Sequence, residues 1–73
     1  MSIFKKITEK KITEATLLIE KDITENERYG YDIVTSLLNG VEKVFPDISK
    51  SDEDIIIDKI IDNLEKKGIS FSF

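Results

Sequence analysis

Residues 51–68 have the sequence SDEDIIIDKIIDNLEKKG, which predicts a helix with a defined start, buried face and end. Ser51 lies three residues before Asp54, the spacing of a capping box, and the acids of the first turn suit the positive end of the helix dipole. Gly68 follows two lysines and supplies the left-handed residue that ends many helices. We therefore predict a helix over residues 52–67. Its core-facing residues recur at helical spacing: Ile57, Ile60, Ile61 and Leu64.

The preceding sequence predicts two further helices. Apolar residues at helical spacing predict a helix over residues 31–45, and Pro46 ends it because proline disfavours helix in the residue before it. Gly40, inside this helix, would let another helix approach closely; alternatively, with Asn39 it marks a turn that splits the segment. The N-terminal third predicts a helix over residues 6–24. Its β-branched content over residues 16–23 leaves a strand there as an alternative.

The last five residues alternate apolar and polar side chains, which is typical of a short strand. Ile69, Phe71 and Phe73 form its apolar side. A lone strand needs a partner for its backbone hydrogen bonds, and residues 2–7, a second copy or a foreign strand would provide one. We predict a mainly α fold: one small three-helix domain with a short C-terminal strand over residues 69–73. It becomes α+β if residues 2–7 or 16–23 pair with that strand.

The composition excludes several classes of site. The chain has no histidine, cysteine or tryptophan, so it lacks the usual catalytic base, the thiol nucleophile and the soft metal ligands. Thirteen isoleucines dominate an apolar inventory large enough for one small core. We expect a protein that is not an enzyme and holds no cofactor or metal. The bias toward isoleucine, lysine, asparagine and glutamate suits an A/T-rich genome, such as that of a low-GC bacterium, its phage or its plasmid.

Two other ligand classes fit the residues poorly. Residues 47–58 place oxygen-bearing side chains at several positions of a calcium-binding EF-hand loop, but Asp52 stands where that loop requires glycine and Asp58 where it requires glutamate. No apolar run is long enough to span a membrane, so we expect a cytoplasmic protein. The lysine-rich residues 1–11 suit a membrane-surface helix, but their apolar side chains are few and better explained as part of the core.

One short segment resembles a known DNA-binding family. Residues 63–69, NLEKKGI, follow an isoleucine-rich helix and look like the end of a winged-helix recognition helix that leads into its wing. The resemblance covers about 20 residues, with a weaker likeness at residues 29–33, and it implies a DNA-binding regulator. The charges oppose this interpretation, since DNA affinity depends on cations that meet phosphates. The helix carries six acids, and Arg28 is the one arginine of the chain.

The sequence therefore favours binding to another protein, or to a second copy, over binding to nucleic acid. Residues 47–65 carry a net charge of −5, whereas residues 1–11 carry +3. We expect a steric adaptor, an inhibitor of a larger machine or an assembly subunit that acts through an acidic helix face and the edge of the C-terminal strand. The predicted protein-binding residues are Tyr29, Tyr31, Asp54, Asp58, Asp62, Glu65, Ile69, Phe71 and Phe73.

Overall fold

The computed structural model describes residues 9–71, which form three helices joined by short turns. They are α1 (Glu9–Glu25), α2 (Tyr31–Val44) and α3 (Lys50–Lys66). The expected mainly α, three-helix fold is confirmed. Residues 16–23 lie within α1, so the strand alternative for this segment is wrong. The expected start of the first helix at residue 6, and the pairing of residues 2–7, lie outside the described residues.

The helices run up, down and up around a shared core. Ile19 of α1 packs against Gly40 of α2, and Lys11 near the start of α1 lies 5.8 Å from the ring centre of Phe45, just after α2, so these two helices are antiparallel. In contrast, α1 and α3 are parallel, with Glu20 of α1 beside Lys67 at the end of α3. The core consists of eleven buried apolar side chains: Ile12, Ala15, Ile19, Ile23, Ile33, Leu37, Val41, Phe45, Ile56, Ile60 and Leu64.

Gly40 is the point of closest approach between α1 and α2. A Cβ atom at this position would overlap the Cγ1 atom of Ile19 and lie 2.8 Å from its Cδ1 atom. The helix continues through Asn39 and Gly40, so the alternative of a turn at these residues is wrong. The absence of a side chain therefore serves helix packing, which offsets the cost of about 1 kcal/mol for glycine within a helix.

The start of α3 differs from the prediction by two residues. Ser49, not Ser51, is the N-cap: its hydroxyl accepts the backbone N–H of Asp52 at 3.3 Å and donates to the Asp52 carboxylate at 2.9 Å. The sequence offers two overlapping capping boxes, one at each serine, and the chain uses the earlier one. As a result Asp52 is buried, in line with Ile56, Ile60 and Leu64. The predicted core residues Ile57 and Ile61 are only partly buried.

The predicted C-terminal strand is not found in the described part of the chain. The end of α3 is a Schellman motif, in which the N–H of Gly68 donates to Glu65 O and the N–H of Ile69 donates to Leu64 O, each at 3.0 Å. Gly68 has a φ of 92°, as its predicted role requires. Residues 69–71 have no regular structure, and Ile69 and Phe71 pack against the core. Residue 73 lies outside the described residues.

Candidate functional site

The outer side of α3 carries the acidic residues that the sequence singles out. At 3.6 residues per turn, Asp54, Asp58, Asp62 and Glu65 fall within about 80° of one another, on the side opposite Ile60. All four are exposed, whereas Ile60 is fully buried. We call these four residues the acidic face. It extends roughly 16 Å along the helix axis, at 1.5 Å per residue. Helix periodicity therefore places them together as predicted.

Few cations neutralise the acidic face. Asp62 forms an ion pair with Lys66 at 3.1 Å, and both side chains are well exposed. Among residues 9–71, Asp54, Asp58 and Glu65 are in no ion pair. Because exposed ion pairs contribute little to stability, the acidic face is not needed to hold the domain together. These carboxylates are instead exposed to solvent, which suits contact with a basic surface.

The other predicted binding residues have different surroundings. Tyr29 and Tyr31 flank the turn between α1 and α2, and they are 80% and 79% exposed. This exposure is consistent with the predicted role as interface residues. Ile69 and Phe71 instead pack against the core, so the strand edge that they were expected to offer does not exist in the described chain. Phe73 lies beyond the described residues. Of the two predicted contact elements, only the acidic face is present.

The lysines that a DNA-binding role would require lie beside carboxylates. Lys66 pairs with Asp62, and Lys67 lies 3.6 Å from Glu20 of α1. Lys59 is exposed on α3 itself, about 60° around the helix from Asp62 and about 100° from Asp58. The same helix presents its acidic face to solvent, and an acidic surface repels phosphates.

Sequence reasoning missed a polar cluster at the turn between α1 and α2. Its centre is the carboxylate of Asp22, which accepts the Ser36 hydroxyl at 2.5 Å and the Asn26 amide at 2.8 Å. Arg28 Nε lies 3.2 Å from the same carboxylate, but it makes no well-aligned hydrogen bond, so this contact is an ion pair alone. No sequence motif marks this cluster, because Asp22 and Ser36 meet only through the packing of α1 on α2.

The environment of Asp22 lowers the pKa of its carboxyl below the ordinary value of 3.8. The main cause is the hydrogen bond from Ser36; the charge of Arg28 and the Asn26 amide add to it, and partial desolvation opposes it. A carboxylate with a lowered pKa is a weak general base, and Ser36 is buried beneath it. The cluster thus links α1 to α2 through the hydrogen bond between Ser36 and Asp22.

An open groove of about 780 Å³ runs along the junction of α1 and α2, and the residues of this cluster line part of it. Its lining carries three acids and three bases, so it presents no dominant charge to a ligand. Within residues 9–71 no three acidic side chains are grouped closely enough to hold a metal ion. The helix that begins at Lys50 also occupies the position where a calcium-binding loop would have to continue.

Comparisons with known proteins give no relative. No protein family, no curated protein and no solved structure matches this chain. Among the described residues, no helix combines the length and the apolar character needed to cross a bilayer.

Proposed function

We propose that the protein is a non-enzymatic binding module whose acidic face docks onto a basic surface of another protein. The observation that carries this proposal is the row formed by Asp54, Asp58, Asp62 and Glu65, of which three are in no ion pair among the described residues. The contact would act sterically, by occupying a surface that the partner uses for something else. A partner surface that normally holds phosphates has the required charge, because association depends on charge complementarity.

Acids outnumber bases along this row, although Lys50 precedes Asp54 by four residues and Lys66 pairs with Asp62. Exposed helices commonly alternate acids and bases at a spacing of three or four residues, which gives favourable pairs within the helix. On α3, Asp54 and Asp58 are instead one turn apart with like charges, an arrangement that costs a few tenths of a kcal/mol. A basic partner would relieve this repulsion, and its attraction would speed association at low salt.

Two variants with the same net charge distinguish an effect of the acidic face from an effect of net charge alone. The first neutralises the face with Asp54→Asn, Asp58→Asn and Glu65→Gln. The control, Glu14→Gln, Glu27→Gln and Asp47→Asn, removes three exposed acids elsewhere. Both raise the net charge by three. In capture experiments from the native host, partners should be lost with the first variant and retained with the control. Equal capture by both variants would contradict the proposal.

DNA binding is tested by a gel shift with duplex DNA at physiological salt. The proposal predicts no shift, because the acidic face repels phosphates. A salt-sensitive shift below about micromolar protein, the range of specific complexes, would overturn it. Neutralisation of Lys59, Lys66 and Lys67 should then abolish the shift.

A further inference from the structure

Asn39 and Gly40 form the one asparagine–glycine pair of the chain. The main-chain nitrogen that follows an asparagine can attack the side-chain amide of that asparagine. Glycine leaves this nitrogen unhindered, because it has no side chain. The other two asparagines, Asn26 and Asn63, precede a glutamate and a leucine, whose side chains obstruct the same attack. Asn39 is therefore the asparagine most prone to a spontaneous reaction.

Helix packing requires the glycine of this pair. A Cβ atom on Gly40 would overlap Cγ1 of Ile19 and lie 2.8 Å from its Cδ1, so no larger residue fits against α1. The neighbouring Asn39 is exposed and lines the open groove between α1 and α2. The contact between the two helices thus places a reactive pair at a surface that water reaches.

The three asparagine side chains also differ in their partners. The Asn26 amide donates to the Asp22 carboxylate at 2.8 Å, and the Asn63 amide donates to the Thr16 hydroxyl at 3.4 Å. Among residues 9–71, the Asn39 side chain has no such partner. No contact therefore holds the Asn39 amide away from the main chain.

We propose that Asn39 is a site of spontaneous deamidation and that the folding of α2 controls its rate. In this reaction the Gly40 nitrogen loses its proton and bonds to the side-chain carbonyl carbon of Asn39, and ammonia leaves, which gives a cyclic imide. Water then opens the imide at one of its two carbonyl groups. One product is aspartate; the other is isoaspartate, in which the main chain is longer by one methylene group.

The intact helix prevents the first step. Because α2 runs without interruption from Tyr31 to Val44, the N–H of Gly40 donates to the carbonyl four residues earlier, which hinders loss of its proton. Ring closure also requires the Gly40 nitrogen to be nearly eclipsed with the Asn39 Cβ atom about the Cα–C bond. A helical ψ of about −42° does not provide that geometry. The reaction therefore proceeds only from molecules in which α2 is open.

The isoaspartate product cannot restore the contact between α1 and α2. Its additional methylene group displaces Gly40 along the main chain, and the close approach to Ile19 leaves no room for such a shift. A transient opening of α2 is thereby converted into a permanent change. Chemical modification of an open state is one of the ways in which unfolding becomes irreversible, so this step limits the lifetime of the folded chain.

The reaction can be followed at all three asparagines of the full chain by peptide mass spectrometry in mildly alkaline buffer. In concentrated guanidinium chloride, Asn39 should convert much faster than Asn26 and Asn63, which serve as internal controls. In native buffer, Asn39 should convert at least about tenfold more slowly than in denaturant, because only the open fraction of α2 reacts. At intermediate denaturant concentrations the rate should rise with the unfolded fraction measured by circular dichroism.

Two variants distinguish the opening of α2 from a change in the chemistry. Ile19→Ala removes the side chain that packs on Gly40 and leaves the sequence of α2 unchanged. It should therefore speed the conversion of Asn39 in native buffer but not in guanidinium chloride. Leu17→Ala, at an exposed position of α1, is the matched control and should leave both rates unchanged.

The two products should differ in stability. After chromatographic separation, the isoaspartate form should have a lower Tm than the unmodified chain, whereas the aspartate form should stay close to it. Conversion of Asn39 at equal rates in native buffer and in denaturant would overturn the proposal. So would conversion in denaturant that is no faster than at the other two asparagines, or an isoaspartate form with the Tm of the unmodified chain.

Discussion

Substitution of Gly40 by alanine should destabilise the protein, although alanine is the better helix former. The added methyl group would meet Cγ1 and Cδ1 of Ile19, a residue of α1 that is fully buried in the core. Overpacking of a core costs about 1–3 kcal/mol. Against this, the replacement of glycine by alanine within a helix contributes about 1 kcal/mol.

We expect the cost of overpacking to exceed the gain in helix propensity, because Cγ1 lies close to the backbone of Ile19 and has little room to move. We expect a loss of up to about 2 kcal/mol in the free energy of unfolding. For a domain of this size the upper value corresponds to a fall in Tm of about 8–16 °C. Thermal unfolding followed by circular dichroism measures this directly.

The neighbouring residue provides the control. Asn39 is exposed on the same helix, so Asn39→Ala should raise the free energy of unfolding by up to about 0.7 kcal/mol through helix propensity alone. If Gly40→Ala were as stabilising as Asn39→Ala, the close approach of α1 and α2 would be refuted. In a double-mutant cycle, Gly40→Ala should cost less in an Ile19→Ala background than in the wild type, because the contact with Ile19 is then absent.

Three further predictions concern residues at or near the ends of the helices. Glu27 adopts a φ of 50° at the end of α1, so Glu27→Gly should raise the free energy of unfolding by about 0.5–1 kcal/mol in denaturant titrations. Ser49→Ala should cost about 1 kcal/mol through loss of the cap, while Ser51→Ala should change stability by less than about 0.5 kcal/mol. The lowered pKa of Asp22 means that its stabilising contribution is complete above about pH 4 and is lost as the pH falls through that lowered value. The stability difference between wild type and Asp22→Asn should therefore shrink in unfolding curves measured below pH 4.

The helices could be predicted because their signals are local. Apolar spacing, Pro46 and Gly68 act within a turn or two of the chain, and each feature occurs where the sequence indicates. The start of α3 could not be fixed, because Ser49 and Ser51 each begin a capping box of the same form. The structure uses Ser49, whose hydroxyl accepts the backbone N–H of Asp52 and donates to its buried carboxylate.

Three features were predicted wrongly or missed, and each has its own physical reason. Alternation in residues 69–73 indicated a strand, but a Schellman motif also places an apolar residue just after the glycine, where it packs on the helix end. Ile69 occupies that position. The Asp22 cluster was missed because Asp22 and Ser36 are fourteen residues apart and meet only after α1 and α2 pack. Glu27 in a left-handed conformation gave no signal at all, since glycine is the residue expected there.

Docking of the acidic face of α3 onto another protein can be measured by site-specific photo-crosslinking in the native host. A photoreactive residue in place of Ser51 lies on the acidic side of α3 without removing a carboxylate. One in place of Thr13, exposed on α1, is the control. We expect a discrete crosslinked partner from position 51 that is absent from position 13 and fades as salt is raised. No adduct from position 51, or the same adducts from both positions, would contradict it.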